Sequence, residues 1–156
     1  MVRLRVVDRR DFVLGAGAVT GLAFLFGPGR ALGQEKPAGL DDALKKIMGN
    51  AKPTEGKLVL ELPEIAENGN TVPFTLSVES PMTEQEHVKA MHILATGNPQ
   101  LDVATFQFTP ASGKAMVASR MRLAKTQDIL AVAELSDGKF LVGQRTVKVT
   151  IGGCGG

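Results

Sequence analysis

Gln144-Arg145-Thr146-Val147-Lys148-Val149-Thr150-Ile151 is the stretch that decides the fold. Side chains of an extended strand alternate between its two faces, so Val147, Val149 and Ile151 share one face and Thr146, Lys148 and Thr150 the other. This alternation predicts a well-anchored strand with one face on a core. The strand ends at Ile151 and passes at once into Gly152-Gly153-Cys154-Gly155-Gly156.

Working back from it, the same grammar recurs as far as Pro53: short β-branched and apolar runs separated by turn residues. Strands are expected at about 57–62, 72–79, 88–95, 103–109, 114–124, 129–135, 140–142 and 144–151. Between them stand Glu67-Asn68-Gly69-Asn70, Gly97-Asn98-Pro99, Pro110-Ala111-Ser112-Gly113 and Ser136-Asp137-Gly138, residue types that tolerate tight or left-handed turns. The expected fold class is mainly β, an antiparallel sandwich. One helix precedes it. Leu40-Asp41-Asp42-Ala43-Leu44-Lys45-Lys46-Ile47-Met48 has apolar residues at helical spacing, acids in its first turn and lysines towards its end, and Gly49-Asn50 supplies a stop.

The first 33 residues carry five arginines against Asp8 and Asp11. A basic stretch containing Arg9-Arg10-Asp11-Phe12-Val13-Leu14 leads into an apolar run from Val13 to Gly27 and then to the small-residue site Ala31-Leu32-Gly33. That layout predicts a cleaved export signal. Arg9, Arg10 and Phe12 are similar to a twin-arginine motif, so the expected location is the periplasm. The apolar run is shorter than the roughly 20 residues that span a bilayer, which argues against a permanent anchor. The expected organisation is a signal over 1–33, a leader with a short helix over 34–56, a β-sandwich over 57–151 and an arm over 152–156.

Cleavage after Gly33 leaves 13 basic against 14 acidic side chains, a formal charge near −1. Neither nucleic acid nor an anionic membrane surface is a natural partner for that balance. Seven Phe with no Trp or Tyr give little material for base-stacking platforms.

Cys154 is the only cysteine. In an exported chain it cannot pair internally, so it is paired with another chain, modified, or free and reactive. Gly152, Gly153, Gly155 and Gly156 surround it with backbone that buries nothing and is costly to order, which predicts a flexible arm carrying an exposed thiol. From Ile151 to Cys154 is three residues, a reach of about 10 Å when extended. A chain without side chains can also thread a narrow channel into a partner enzyme. A free thiol titrates near ~8.5, and no cation lies within the tail to lower that value.

No other constellation points to catalysis, a metal or a cofactor. His87 and His92, five residues apart on a strand, would face opposite ways. Glu61, Glu64, Glu67, Glu79, Glu84 and Glu86 form no defensible catalytic pair. Ser112-Gly113 sits in a turn with no nucleophile-elbow context. Met82, Met91, Met116 and Met121 suit either a core or a partner surface. The chain is therefore expected to be no enzyme in itself.

The stretch Val147–Gly156 resembles the SoxY family, the sulfur-carrying subunits of the periplasmic sulfur-oxidation (Sox) system. The resemblance extends to Pro63-Glu64-Ile65-Ala66-Glu67-Asn68-Gly69, to Glu79-Ser80-Pro81 and to the run Ala104-Thr105-Phe106-Gln107-Phe108-Thr109-Pro110-Ala111-Ser112-Gly113-Lys114. It implies an immunoglobulin-like sandwich and a heterodimer with a SoxZ-like subunit. It also implies a cycle in which a haem enzyme (SoxXA) couples thiosulfate oxidatively to Cys154, a hydrolase (SoxB) releases sulfate, and in some organisms a dehydrogenase (SoxCD) oxidises the remaining persulfide.

Two other readings fit parts of the sequence. The Gly155-Gly156 ending suits a carrier that works through a C-terminal thiocarboxylate, although that chemistry needs ATP and leaves Cys154 without a role. A noncatalytic interaction module would use Cys154 for a permanent intermolecular disulfide.

Overall fold

Nine strands and one helix follow one another in the computed structural model, which describes residues 39–54 and 56–153. Helix α1 spans Leu40–Met48, with Asp41 and Asp42 in its first turn and Lys45 and Lys46 in its last, each charge set against the opposite end of the helix dipole. Gly49 stops it with φ 62°, where its amide donates to the Lys45 carbonyl. Asp41 and Lys45 therefore sit where the sequence pattern places them.

The strands are β1 (Pro53–Thr54), β2 (Leu58–Glu61), β3 (Ile65–Asn68), β4 (Val72–Val78), β5 (Val88–Ala95), β6 (Asp102–Gln107), β7 (Ala115–Met121), β8 (Gln127–Leu135) and β9 (Phe140–Ile151). A 3-10 turn over Pro110–Ser112 joins β6 to β7. One sheet has the order β1-β9-β8-β5-β6, with β3 also on β9, and the other has the order β2-β4-β7. The pairings β2–β4, β4–β7, β5–β6, β5–β8 and β8–β9 are antiparallel. The fold is thus an immunoglobulin-like β-sandwich. All of the described residues fall within one compact unit that begins at Glu35.

Period-2 alternation fills the space between the sheets. Strand β4 sends in Val72, Phe74, Leu76 and Val78, where it meets Met91, Ile93 and Ala95 of β5 and Ile129, Ala131 and Ala133 of β8. Full burial of a side chain such as Leu76 is worth about 1.5–3 kcal/mol. Phe74 and Phe106 tie the two sheets with ring centroids 6.4 Å apart and planes tilted by 52°, within the range favoured by aromatic pairs. Strands β5 and β8 read as nearly continuous apolar runs because both of their faces are covered. Leu94 and Leu130 point away from the sandwich core and meet Leu40, Ala43, Leu44 and Ile47 of α1.

The structure departs from the sequence expectation in three places that bear on the tail. The segments 140–142 and 144–151 are one continuous strand through Gly143. A Cβ at Gly143 would come within 2.6 Å of Leu58 Cδ2, so the glycine makes room for a neighbouring strand and does not break its own. Ile65–Asn68, read partly as a turn, forms β3 and runs parallel to β9 with Ile65 opposite Lys148 and Asn68 opposite Ile151. Only Ala66 of β3 is buried, so no apolar alternation announced it. Ile151, expected on the core face, is 67% exposed, whereas Val147 is fully buried and Val149 half-buried. The reason is positional: pairing with β8 ends at Val147, and the last turn of β9 runs on beyond the sandwich with β3 beside it.

Candidate functional site at the end of β9

Three chain segments meet where β9 ends. The Gly69 amide donates to the Ile151 carbonyl at 2.7 Å, the Leu123 amide donates to the Gly69 carbonyl at 2.8 Å, and the Gly153 amide donates to the Leu123 carbonyl at 2.8 Å. The segments after β3 and after β7 thus both give and receive, while the end of β9 receives through Ile151 and the tail gives through Gly153. Lys148 is held in the same way just before, its amide donating to the Glu64 carbonyl at 2.9 Å, and the Val149 amide donates to Thr126 Oγ1 at 2.9 Å.

Gly152 and Gly153, expected as the start of a loose arm, are half-buried and docked against the body. A Cβ on Gly152 would lie under 3 Å from the Ala124 carbonyl oxygen, and one on Gly153 would lie equally close to the Gly69 carbonyl and the Asn70 amide. A Cβ on Gly69 would meet the Leu123 carbonyl and the Gly153 amide. Two net hydrogen bonds of about 0.5–1.5 kcal/mol each hold the base of the tail. That is enough to favour one placement and small enough to be reversed.

The loop that receives these glycines is shaped by side chains. Asn98 Nδ2 donates to the Arg122 carbonyl at 2.8 Å, and Asn98 Oδ1 accepts from the Ala124 amide and from Gln127 Nε2, both at 2.9 Å. Gln127, 6% exposed, also donates to the Lys125 carbonyl at 3.1 Å and accepts from the Gly97 amide at 2.6 Å. These residues were not singled out from sequence. Gly97-Asn98 was read as a turn, and the turn is present, but its partners lie 24 to 30 residues away.

Of the residues expected at the site, Gly152 and Gly153 are placed here. Cys154, Gly155 and Gly156, together with Arg9, Arg10 and Phe12 of the expected export signal, lie outside the described residues. Of the other candidates, His87, His92 and Ser112 have structural partners. His87 precedes β5, its amide donating to Ser136 Oγ and its Nδ1 lying 3.0 Å from the Thr83 carbonyl. His92 Nδ1 lies 3.0 Å from Thr105 Oγ1, and burial pushes its pKa below the ordinary value while Glu134 and Asp102 partly oppose the shift. Ser112 Oγ accepts from the Thr109 amide in a capping box. Met82, Met91 and Met121 are core, and Met116 is exposed. Among the described residues no group of three or more His, Cys, Asp or Glu side chains is arranged to hold a metal ion, and no helix is long and apolar enough to cross a membrane.

The fold and this junction define a class: a β-sandwich protein whose last strand is prolonged, through docked glycines, towards a single cysteine. The family model for SoxY, described as sulfur oxidation protein SoxY, matches residues 44–154. Among solved structures, the sulfur carrier protein SoxY from Chlorobium limicola f thiosulfatophilum is similar at 35% sequence identity and a TM-score of 0.60, the match covering 72% of this chain and 96% of that one. The chain belongs to the SoxY family. None of the curated proteins matches it.

Superoxide reductases share the fold alone. The neelaredoxin E23A from Ignicoccus hospitalis is 16% identical with a TM-score of 0.55, over 69% of this chain and 86% of that one. A putative superoxide reductase from Thermotoga maritima is 17% identical with a TM-score of 0.54, over 64% and 93%.

Proposed function

We propose that this chain is a covalent sulfur carrier in periplasmic sulfur oxidation, with Cys154 as the attachment point and the chemistry performed by partner enzymes. The observation that carries the reading is a side-chain-free path, Gly152-Gly153, leading from the end of β9 to the only cysteine. The family match, which runs through that cysteine, and the description of the Chlorobium protein as a sulfur carrier support it.

In this reading the Cys154 thiolate and the outer sulfur of thiosulfate form an S–S bond, giving Cys–S–S–SO3⁻, and two electrons pass to a haem partner of the SoxXA type. Water then cleaves the bond to the sulfonate in a SoxB-type hydrolase, releasing sulfate and two protons and leaving a persulfide. A SoxCD-type dehydrogenase would oxidise that outer sulfur where one is present. A SoxZ-like subunit completes the carrier as a heterodimer, and the twin-arginine-like segment around Arg9, Arg10 and Phe12 directs export. This chain's own part is to keep one thiol accessible on backbone narrow enough to enter several active sites.

Intact mass of the purified protein, before and after exposure to thiosulfate with partner enzymes, tests the reading. The expected result is a gain of one S2O3 unit that Cys154→Ala abolishes. A thiocarboxylate on Gly156, or a permanent disulfide-linked dimer inert to thiosulfate, would overturn it.

A further inference from the structure

Among the described glycines, two sets differ in what they are needed for. Gly49, Gly113 and Gly138 have φ of 62°, 71° and 80°, and a Cβ on any of them would meet open space. They answer to left-handed backbone. Gly69, Gly152 and Gly153 are not among the positive-φ residues, yet a Cβ on each would come under 3 Å from backbone atoms of another segment. They answer to close approach. Backbone cannot swing aside as a long side chain can, so each of these three glycines is fixed by its neighbour in space.

Two of them stand immediately before Cys154, and the third, Gly69, stands more than 80 residues earlier in sequence. From these contacts we infer that Gly69 and the loop at Leu123 and Ala124 form a dock for Gly152 and Gly153, the base of the arm, and that Gly69 is a positioning residue for the carrier thiol. The inference rests on the carrier reading above. Docked, one peptide unit, about 3.8 Å between Cα atoms, joins Gly153 to Cys154. Released at Ile151, three residues give about 10 Å. The dock therefore sets the point from which the thiol is presented, and its release adds reach. The Leu123 carbonyl, which accepts from Gly153, and the Ala124 carbonyl, which packs against Gly152, belong to a loop pinned by Asn98 and Gln127, so the point of presentation is fixed relative to the sandwich.

The test uses the full chain carrying Gly69→Ala, which leaves the arm's own sequence intact and so cannot obstruct an enzyme's channel. Amide exchange at Gly153 is expected to accelerate by about tenfold or more as the dock opens. In thiosulfate loading by the haem enzyme, KM for the carrier is expected to rise about tenfold with kcat within about twofold, because the arm is presented less often in its recognised place while the thiol is unchanged. Should Gly69→Ala fail to fold, Asn98→Ala opens the dock through the loop and is read in the same two ways. Gly153 exchange at the wild-type rate in whichever variant folds, or accelerated exchange with unchanged KM, would overturn the inference. A wild-type chain that thiosulfate and partner enzymes never load would instead remove the carrier reading, with the backbone dock still judged by exchange.

Discussion

Gln127 Nε2 donates to Asn98 Oδ1 at 2.9 Å, and through this contact a strand end and a turn 29 residues apart in sequence are held as one unit. The same Asn98 oxygen accepts from the Ala124 amide, and its nitrogen donates to the Arg122 carbonyl. One side chain therefore shapes the whole loop against which the tail glycines lie.

Asn98→Ala leaves the Ala124 amide and the Arg122 carbonyl without their partner, while Gln127 keeps the Lys125 carbonyl and the Gly97 amide. The expected loss is about 1–3 kcal/mol, the cost of stranding the partly buried Ala124 amide, since water can replace Asn98 at the exposed Arg122 carbonyl. A urea titration checks it, read as a lower midpoint at unchanged slope.

Leu76 is fully buried between the sheets, whereas Val59 on the outer face of β2 is 48% exposed. Leu76→Ala is expected to cost about 2–5 kcal/mol through lost burial and the cavity left behind. Val59→Ala should stay within about 0.5 kcal/mol. Equal losses at the two positions would contradict the layer assignment.

Leu44 lies on the face of α1 that meets Leu94 and Leu130. Leu44→Asp sets a charge against that apolar patch, and the helix alone, at nine residues, is too short to persist without tertiary packing. Amide protection is expected to vanish over α1 and to persist in β4 and β8.

His92 has a pKa lowered from 6.5, first by burial, with Glu134 and Asp102 acting in the opposite sense. The folded protein thus binds this proton more weakly than the unfolded chain. Stability from keeping His92 neutral is full above about pH 6.5 and is lost as pH falls through the folded value. Thermal unfolding should therefore show a steeper decline between about pH 7 and pH 5 in the wild type than in His92→Asn, which stays uncharged. Parallel curves would contradict the assignment.

Strands β4, β5, β8 and the second half of β9 were legible because their residues alternate or run apolar over seven or more positions, and α1 because Leu40, Leu44 and Ile47 recur at helical spacing. Strand β3 was not, since Ile65 and Glu67 face outwards and only Ala66 is buried. Its place in the sheet comes from parallel backbone pairing with β9, which leaves no mark on side-chain pattern. The exposure of Ile151 was hidden for a related reason. Alternation predicts which face a residue takes, but not where the opposite sheet stops.

The sequence by itself determined that the chain is a β-sandwich with one amphipathic helix and that its one thiol stands among glycines, because hydrophobic period and residue type are local properties. Tertiary structure alone decided what two of those glycines do. Gly152 and Gly153 read as freedom in the sequence, and their contacts make them the close-packed partners of Gly69, Leu123 and Ala124. A missing Cβ permits both loose chain and tight backbone approach, and only the segment lying opposite determines which one the protein uses.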